Sequence, residues 1–171
     1  YYREVARSYD RDFAEALGYS YPARVAAIYQ QIAGQQDVPI ADIGCGTGLV
    51  GAALGGVVDG MDISPEMLAV AERRGVYRAL YQVDLTGDLA TLPVGYGAVV
   101  SAGTFTHGHL GPEVLTALLG LARPGALFVI GVNAAHYADW GFEAVLQRLA
   151  GTGRIREVGS IEVPIYAKSG H

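Results

Sequence analysis

Three glycines at every second position directly follow a short apolar stretch near residue 40. Residues 41–48 read Ala-Asp-Ile-Gly-Cys-Gly-Thr-Gly, and Val-Pro-Ile precedes them. An apolar strand that runs into such a turn and then into a helix leaves a surface without side chains, where backbone N–H groups meet a ligand. Glycine suits the turn because it adopts positive φ at little cost. The pattern predicts a nucleotide-type site, although dinucleotide and mononucleotide folds share it.

A second acid follows the turn at the distance of one strand–turn–helix–strand unit. Asp62 ends the next predicted strand, so its carboxylate is expected beside the glycines. A carboxylate there can accept hydrogen bonds from both hydroxyls of a ribose. The alternative is that Asp62 caps the following helix, but Ser64 and Pro65 already suit the N-cap and N1 positions. We therefore predict that Asp62 serves a ligand.

Strand-like and helix-like segments alternate along most of the chain. Helices are expected over residues 1–17 and from Pro22 to Gly34, as an N-terminal helical cap. Strands are then predicted over 38–43, 57–62, 77–83, 96–102 and 126–132, and helices over 49–54, 65–74, 112–121 and 140–149. This alternation predicts an α/β fold, a doubly wound, mostly parallel, Rossmann-like sheet with helices on both faces.

Length and charge restrict the organisation and the partners. A chain of 171 residues is expected to form a single domain, with residues 1–36 as the cap and 37–171 as the core. Twelve basic and 17 acidic residues give a net charge of −5, without a basic run. Because binding to a phosphate backbone depends on clustered Lys and Arg, we predict no nucleic-acid partner. The oligomeric state stays open.

Hydropathy and cysteine content predict a cytoplasmic protein without a membrane partner. The chain has no uncharged apolar stretch of the ~20 residues that a membrane span needs, and no signal-peptide pattern. The single cysteine, Cys45, fits a reducing compartment. Cys45 is expected to pack inside the glycine turn rather than to act as a nucleophile.

These motifs together resemble the class I S-adenosylmethionine-dependent methyltransferases. Positions 42–48 are similar to the first motif of that family, 61–64 to its second and 83–85 to its third. Pro124-Gly125 resembles its late turn into a strand. More narrowly, Gly-Thr-Phe-Thr-His-Gly-His at 103–109 is similar to the Williams–Beuren-region methyltransferase-like subgroup.

The resemblance implies S-adenosylmethionine as the cofactor. The glycine turn would hold its methionine part, Asp62 the ribose and Asp84 the adenine, with Ile63 and Met67 on the adenine faces. The residues expected to bind the cofactor are Tyr9, Asp42, Gly44, Cys45, Gly46, Gly48, Asp62, Ile63, Met67, Asp84, Leu85 and Ser101. For Asp84 the alternative is a turn residue before Thr86, and for Tyr9 it is ordinary core packing.

Two histidines after the fourth strand are the candidate catalytic residues. His107, and after it His109, is expected to orient the acceptor or to take its proton. A structural role and a metal site are the alternatives, and no metal is predicted because no matching ligand cluster accompanies the pair. His136, Tyr137 and Trp140 either line the substrate site or pack the following helix.

The chain departs from the family in two places. The helix after the glycine turn is short, ending before Gly55-Gly56, and the final antiparallel hairpin lacks its last strand. The predicted function is methyl transfer from S-adenosylmethionine to a small-molecule acceptor by direct displacement, giving S-adenosylhomocysteine. The alternatives are a nicotinamide-dependent oxidoreductase and a binding module without turnover. Gly-x-Gly-x-Gly in place of Gly-x-Gly-x-x-Gly disfavours the oxidoreductase.

Overall fold

The computed structural model describes residues 21–105, 110–156 and 158–160, and they build one five-stranded sheet. The strands are β1 (Ile40–Ile43), β2 (Val58–Asp62), β3 (Ala79–Gln82), β4 (Tyr96–Phe105) and β5 (Ala122–Val132). They lie in the order β3-β2-β1-β4-β5, and all neighbouring pairs are parallel. The predicted doubly wound α/β fold is thereby confirmed.

Helices cover both faces of this sheet. They are α1 (Tyr21–Ile32), α2 (Leu49–Leu54), α3 (Pro65–Arg74), α4 (Glu113–Leu119), α5 (Ala134–Asp139) and α6 (Phe142–Gly151). None of the helices in the described ranges is long and apolar enough to cross a membrane. The predicted helix over residues 1–17 lies outside the described part of the chain.

Two apolar clusters, one on each face, hold the sheet in place. On one face Met61 and Phe105 pack with α4 and α6, whose Leu118 and Phe142 are fully buried. On the other face Val58 and neighbouring strand residues pack with α1 and α2. Burial on both faces explains why β1 and most of β2 are uninterrupted by exposed residues. Each fully buried large apolar side chain contributes about 1.5–3 kcal/mol.

Local signals fix α3 at both ends. The Ser64 hydroxyl accepts a hydrogen bond from the backbone N–H of Met67, and Pro65 occupies the first helical turn. Gly75 ends the helix in the left-handed conformation at φ 68°. These ends agree with the prediction from sequence, and they aim the N-terminus of α3 at the carboxyl end of the sheet.

The structure differs from the sequence-based prediction around β5. This strand begins at Ala122, before Pro124-Gly125, and its register with β4 shifts between the pairs Tyr96–Ala122 and Ala98–Leu127. The Pro-Gly pair therefore forms an irregularity within a strand. The helix predicted over 140–149 is present as α6, which begins two residues later because Gly141 adopts φ 73°. The preceding helix α5, capped by the Asn133 side chain, was not predicted.

Candidate functional site

The connection between β1 and α2, the glycine loop Gly44–Gly48, opens at the carboxyl end of the sheet. Its glycines have φ values of 62°, 54° and 96°, which residues with side chains rarely adopt. A Cβ atom on Gly44 would lie 2.0 Å from Oγ1 of Thr104. At Gly46 the same construction meets no heavy atom of the described residues within 4 Å. The loop thus presses against β4 on one side and leaves an open cradle at Gly46.

Asp62 connects the end of β2 to this loop. Its Oδ2 accepts a hydrogen bond of 2.9 Å from the backbone N–H of Gly46, and its Oδ1 accepts one of 2.9 Å from Ser64. The helix cap itself is Ser64, as expected from the sequence. Because each carboxylate oxygen has two acceptor positions, Asp62 can still accept hydrogen bonds from a ligand diol.

Asp42 lies beneath the glycine loop and is 1% exposed. Its Oδ2 accepts a hydrogen bond of 2.7 Å from the hydroxyl of Tyr77, while Oδ1 is buried and has no hydrogen-bond partner in the described part of the chain. Burial raises the pKa of Asp42 to about 7, with a smaller rise from the charge of Asp62 and an opposing effect of the Tyr77 hydrogen bond. Asp42 is therefore closed to solvent, and it lies in the strand that leads directly into the glycine loop.

The order in which successive strands are added to the sheet reverses between β1 and β4. Open α/β sheets bind their ligands at such a switch point. At this point the hydroxyl of Thr104 donates to the carbonyl of Ile43 over 2.9 Å and accepts from the hydroxyl of Ser101 over 2.7 Å. Ser101 is fully buried. Its side chain acts on the loop through Thr104, which belongs to the motif at 103–109 but had no predicted role.

The residues expected around an adenine lie along the adjoining strand ends. Ile63 is 61% exposed directly after β2, an unusual place for a large apolar side chain. Met67 and Leu85 are partly buried. Asp84 is exposed, and its Oδ1 accepts hydrogen bonds from the backbone and hydroxyl of Thr86, which lower its pKa. Asp84 therefore does stabilise the turn before Thr86, which was the alternative to a role in binding adenine.

The structure describes Cys45 but not the two candidate catalytic histidines. Cys45 is 7% exposed, and burial raises the pKa of its thiol, so it is inert as a nucleophile. Tyr9, His107 and His109 lie outside the described residues. Within the described ranges, no group of three His, Cys, Asp or Glu side chains could hold a metal ion.

The expected substrate wall after β5 is mainly a packing unit. His136 is buried, its Nε2 hydrogen-bonds the carbonyl of Leu110, and its ring lies 4.7 Å from that of Trp140. Tyr137 stacks on Phe142 at 5.8 Å. Trp140 remains 45% exposed beside them. This unit anchors the chain at Leu110, directly after residues 106–109.

Two further residues at the loop had no signal in the motifs. Arg74, at the end of α3, donates from Nε to the carbonyl of Thr47 over 2.7 Å. Tyr77 follows Gly75 and reaches Asp42. The one hint in the sequence was Gly51, because a glycine inside a helix needs a packing reason.

Comparison with known proteins found a family and relatives that are similar to this chain. The methyltransferase domain family matches residues 40–125, about half of the chain. The chain is 29% identical over 163 residues to Methyltransferase-like protein 27 of Homo sapiens, a Williams–Beuren-region protein. That match covers 90% of this chain and 66% of the human protein.

A second relative corrects the expected partners. The chain is 44% identical over 69 residues to the 18S rRNA (guanine-N(7))-methyltransferase bud23 of Schizosaccharomyces pombe. The match covers 39% of this chain and 23% of that protein, so the chain spans less than two thirds of either relative. The prediction that nucleic acid is excluded was wrong, because a net charge of −5 describes the whole chain and says little about one local surface.

Solved structures share the fold. A TehB-like SAM-dependent methyltransferase from Corynebacterium glutamicum superposes with a TM-score of 0.67 at 24% identity, covering 86% of this chain and 82% of that one. A DhpI complex with SAH superposes with a TM-score of 0.55 at 26% identity, covering 76% and 65%.

Proposed function

The chain belongs to the methyltransferase domain family, in the class I S-adenosylmethionine-dependent group, and from that membership we propose that it transfers a methyl group by direct displacement. The products would be S-adenosylhomocysteine and a methylated acceptor. One observation carries this proposal. The open cradle at Gly46 adjoins the Asp62 carboxylate, whose Oδ2 lies 2.9 Å from the Gly46 nitrogen.

The groups at this edge fit S-adenosylmethionine. The cradle at Gly46 is free of side chains and accommodates the amino-acid part, and a carboxylate at the end of β2 suits a ribose diol. Exposed Ile63 offers an apolar face for an adenine. Asp84, although engaged with Thr86, is exposed at the next strand end for the adenine amino group. We assign the remaining predicted contacts, including Tyr9, on the family resemblance alone.

The cofactor supplies a methyl group already activated by a sulfonium. The protein therefore contributes orientation, which can be worth ~7–11 kcal/mol when the reacting atoms are held in line. Asp62 and the glycine loop fix one reactant, and Thr104 ties that loop to β4. In this account His107 or His109 orients the acceptor or accepts its proton, a role that adds ~10²–10⁴-fold where the acceptor is protonated.

The two alternatives from the sequence stand differently. A nicotinamide-dependent oxidoreductase is disfavoured by the family match over residues 40–125. A binding module without turnover requires the same cradle and differs only in the absence of product. The presence of product therefore separates it from an enzyme.

A small molecule is our first candidate for the acceptor. Among the described residues, Arg74 and Arg78 are engaged in hydrogen bonds with Thr47 and Asp59. Ribosomal RNA is the second candidate, on the 44% identity over 69 residues to an rRNA methyltransferase.

Turnover with two acceptor fractions tests the proposal. The protein is incubated with S-adenosylmethionine and either a small-metabolite extract or purified ribosomal RNA, and S-adenosylhomocysteine is measured by mass spectrometry. We expect product with the metabolite extract, and less product when Asp62→Ala replaces the wild type at limiting S-adenosylmethionine. Product with ribosomal RNA alone would move the acceptor to the second candidate. No product in either fraction, despite tight cofactor binding, would favour the binding module.

A further inference from the structure

The corner between α3 and β3 contacts the glycine loop from outside the sequence motifs. Arg74 is the last residue of α3, and Tyr77 follows the left-handed Gly75. The Nε of Arg74 donates to the carbonyl of Thr47, near the end of the loop, over 2.7 Å. The hydroxyl of Tyr77 donates over 2.7 Å to Asp42, just before the loop. One corner thus reaches both ends of the loop.

The ring of Tyr77 occupies space that three glycines leave open. A Cβ on Gly51, inside α2, would lie 2.5 Å from Cζ of the ring. Cβ atoms on Gly48 and Gly60 would each lie 3.0 Å from other ring carbons. The ring is therefore confined by the loop, by α2 and by β2 at once. This confinement explains the glycine inside the unusually short α2.

The Tyr77 hydroxyl is the side-chain donor to a carboxylate that water does not reach. Asp42 is 1% exposed, and among the described residues its Oδ1 has no hydrogen-bond partner. Loss of the Tyr77 hydroxyl would therefore remove the side-chain donor that the described residues provide to this carboxylate. Burial and the charge of Asp42 raise the pKa of Tyr77, which keeps its proton available for donation. A buried carboxylate that loses a hydrogen-bond donor costs free energy. We expect the adjoining glycine loop to shift in order to replace the lost donor.

We propose that Arg74 and Tyr77 form a brace that holds the glycine loop in its binding shape, so that cofactor affinity depends on both residues. The loop needs such support because glycine loses more conformational freedom on ordering than other residues. A loop ordered before binding spares the ligand that cost. Arg74 and Tyr77 are positioning residues that act through Thr47 and Asp42. The proposal rests on the proposed cofactor site.

Calorimetric titration with S-adenosylhomocysteine tests the brace. Tyr77→Phe removes only the hydroxyl, and Arg74→Met removes the donor while keeping an aliphatic chain against Gly48. We expect each to raise the Kd by about ten-fold, the size of effect typical of a lost hydrogen bond to a charged or buried partner. Arg74→Lys, which retains a donor, should recover part of the affinity lost in Arg74→Met.

Tyr29→Phe is the matched control. The Tyr29 hydroxyl also makes a buried hydrogen bond, to the carbonyl of Asp37 before β1, away from the loop. We expect Tyr29→Phe to lower the melting temperature about as much as Tyr77→Phe and to leave the Kd unchanged. The brace is refuted if Tyr77→Phe and Arg74→Met both bind S-adenosylhomocysteine with the Kd of the wild type. It is also refuted if the rise in Kd is proportional to the loss in melting temperature in all variants, Tyr29→Phe included. Absence of binding by the wild type would instead refute the proposed function.

Discussion

Two buried aspartates on opposite faces of the sheet have pKa values shifted in opposite directions. Burial acts to raise the pKa of Asp59, but a paired hydrogen bond from Arg78 and one from Tyr96 outweigh it and lower the value. Asp42 has Tyr77 as its one side-chain donor within the described ranges, and burial raises its pKa to about 7. The charged form of Asp59 therefore stabilises the folded protein, whereas the charged form of Asp42 destabilises it.

Replacement of Asp42 by Asn should change how stability depends on pH. The folded pKa of about 7 lies above the unfolded value of ~3.9, so between these values the native state holds a proton that the unfolded state lacks. Stability of the wild type therefore falls as the pH rises through this window. Relative to the wild type, Asp42→Asn should gain about 2–3 kcal/mol between pH 5 and pH 8. Urea unfolding of both proteins at pH 5 and pH 8 measures this change. The prediction is contradicted if the stability difference between Asp42→Asn and the wild type is the same at both pH values.

Asp62 should matter for binding more than for folding. Asp62→Ala removes the acceptor for Gly46 N–H and for the ribose, and hydrogen bonds to a charged group are each worth ~1.5–3 kcal/mol. We expect affinity for S-adenosylhomocysteine to fall by at least ten-fold, with α3 still capped by Ser64. Ser64→Ala is the control, which should lose about 0.5–2 kcal/mol of stability with little change in affinity. Equal affinity of Asp62→Ala and the wild type would assign Asp62 to the turn alone.

At the scale of elements, α2 is shaped by the ring that packs beneath it. Gly51→Ala would ordinarily favour a helix by up to ~1 kcal/mol. Here the new Cβ would lie 2.5 Å from the ring of Tyr77 and displace its hydroxyl from Asp42. We expect a net loss of stability and weaker binding of S-adenosylhomocysteine. Gly151→Ala, at an open position in α6, should keep both properties at wild-type values or raise stability. Retained affinity in Gly51→Ala would argue against this packing.

The elements that sequence predicted well are those with local signals. The position of α3 follows from Ser64, Pro65 and Gly75, and β1 from its apolar run before the glycines. The break between α5 and α6 depends on Asn133 and Gly141, which the apolar periodicity around Trp140 concealed. The shift within β5 depends on its pairing with β4, which is not encoded locally.

The site was predictable to a similar degree. The glycine loop and Asp62 follow a motif, and the structure brings them within hydrogen-bond distance. Thr104 and Tyr77 contact the loop from residues far along the chain, with no spacing rule to reveal them. Whether His107 takes part stays a prediction, since it lies outside the described residues.

At the scale of the whole molecule, fold and acceptor are determined by different parts of the chain. The family match ends at residue 125, and the sheet edge that it covers carries the proposed cofactor groups. We expect the acceptor to be selected by segments outside this match, because proteins that share one fold differ in substrate. The single-domain organisation over residues 1–171 likewise stays a proposal, because the chain spans less than two thirds of either relative.

The central claim is that the sheet edge at Gly46 and Asp62 binds the methyl-donor cofactor rather than a nicotinamide. Thermal unfolding with S-adenosylhomocysteine or NAD tests it most directly. At one hundred times its Kd, a ligand that binds only the native state adds ~2.7 kcal/mol, or roughly 5–10 °C in a domain of this size. We predict this rise with S-adenosylhomocysteine and no rise with NAD. A rise with NAD and none with S-adenosylhomocysteine would contradict the account.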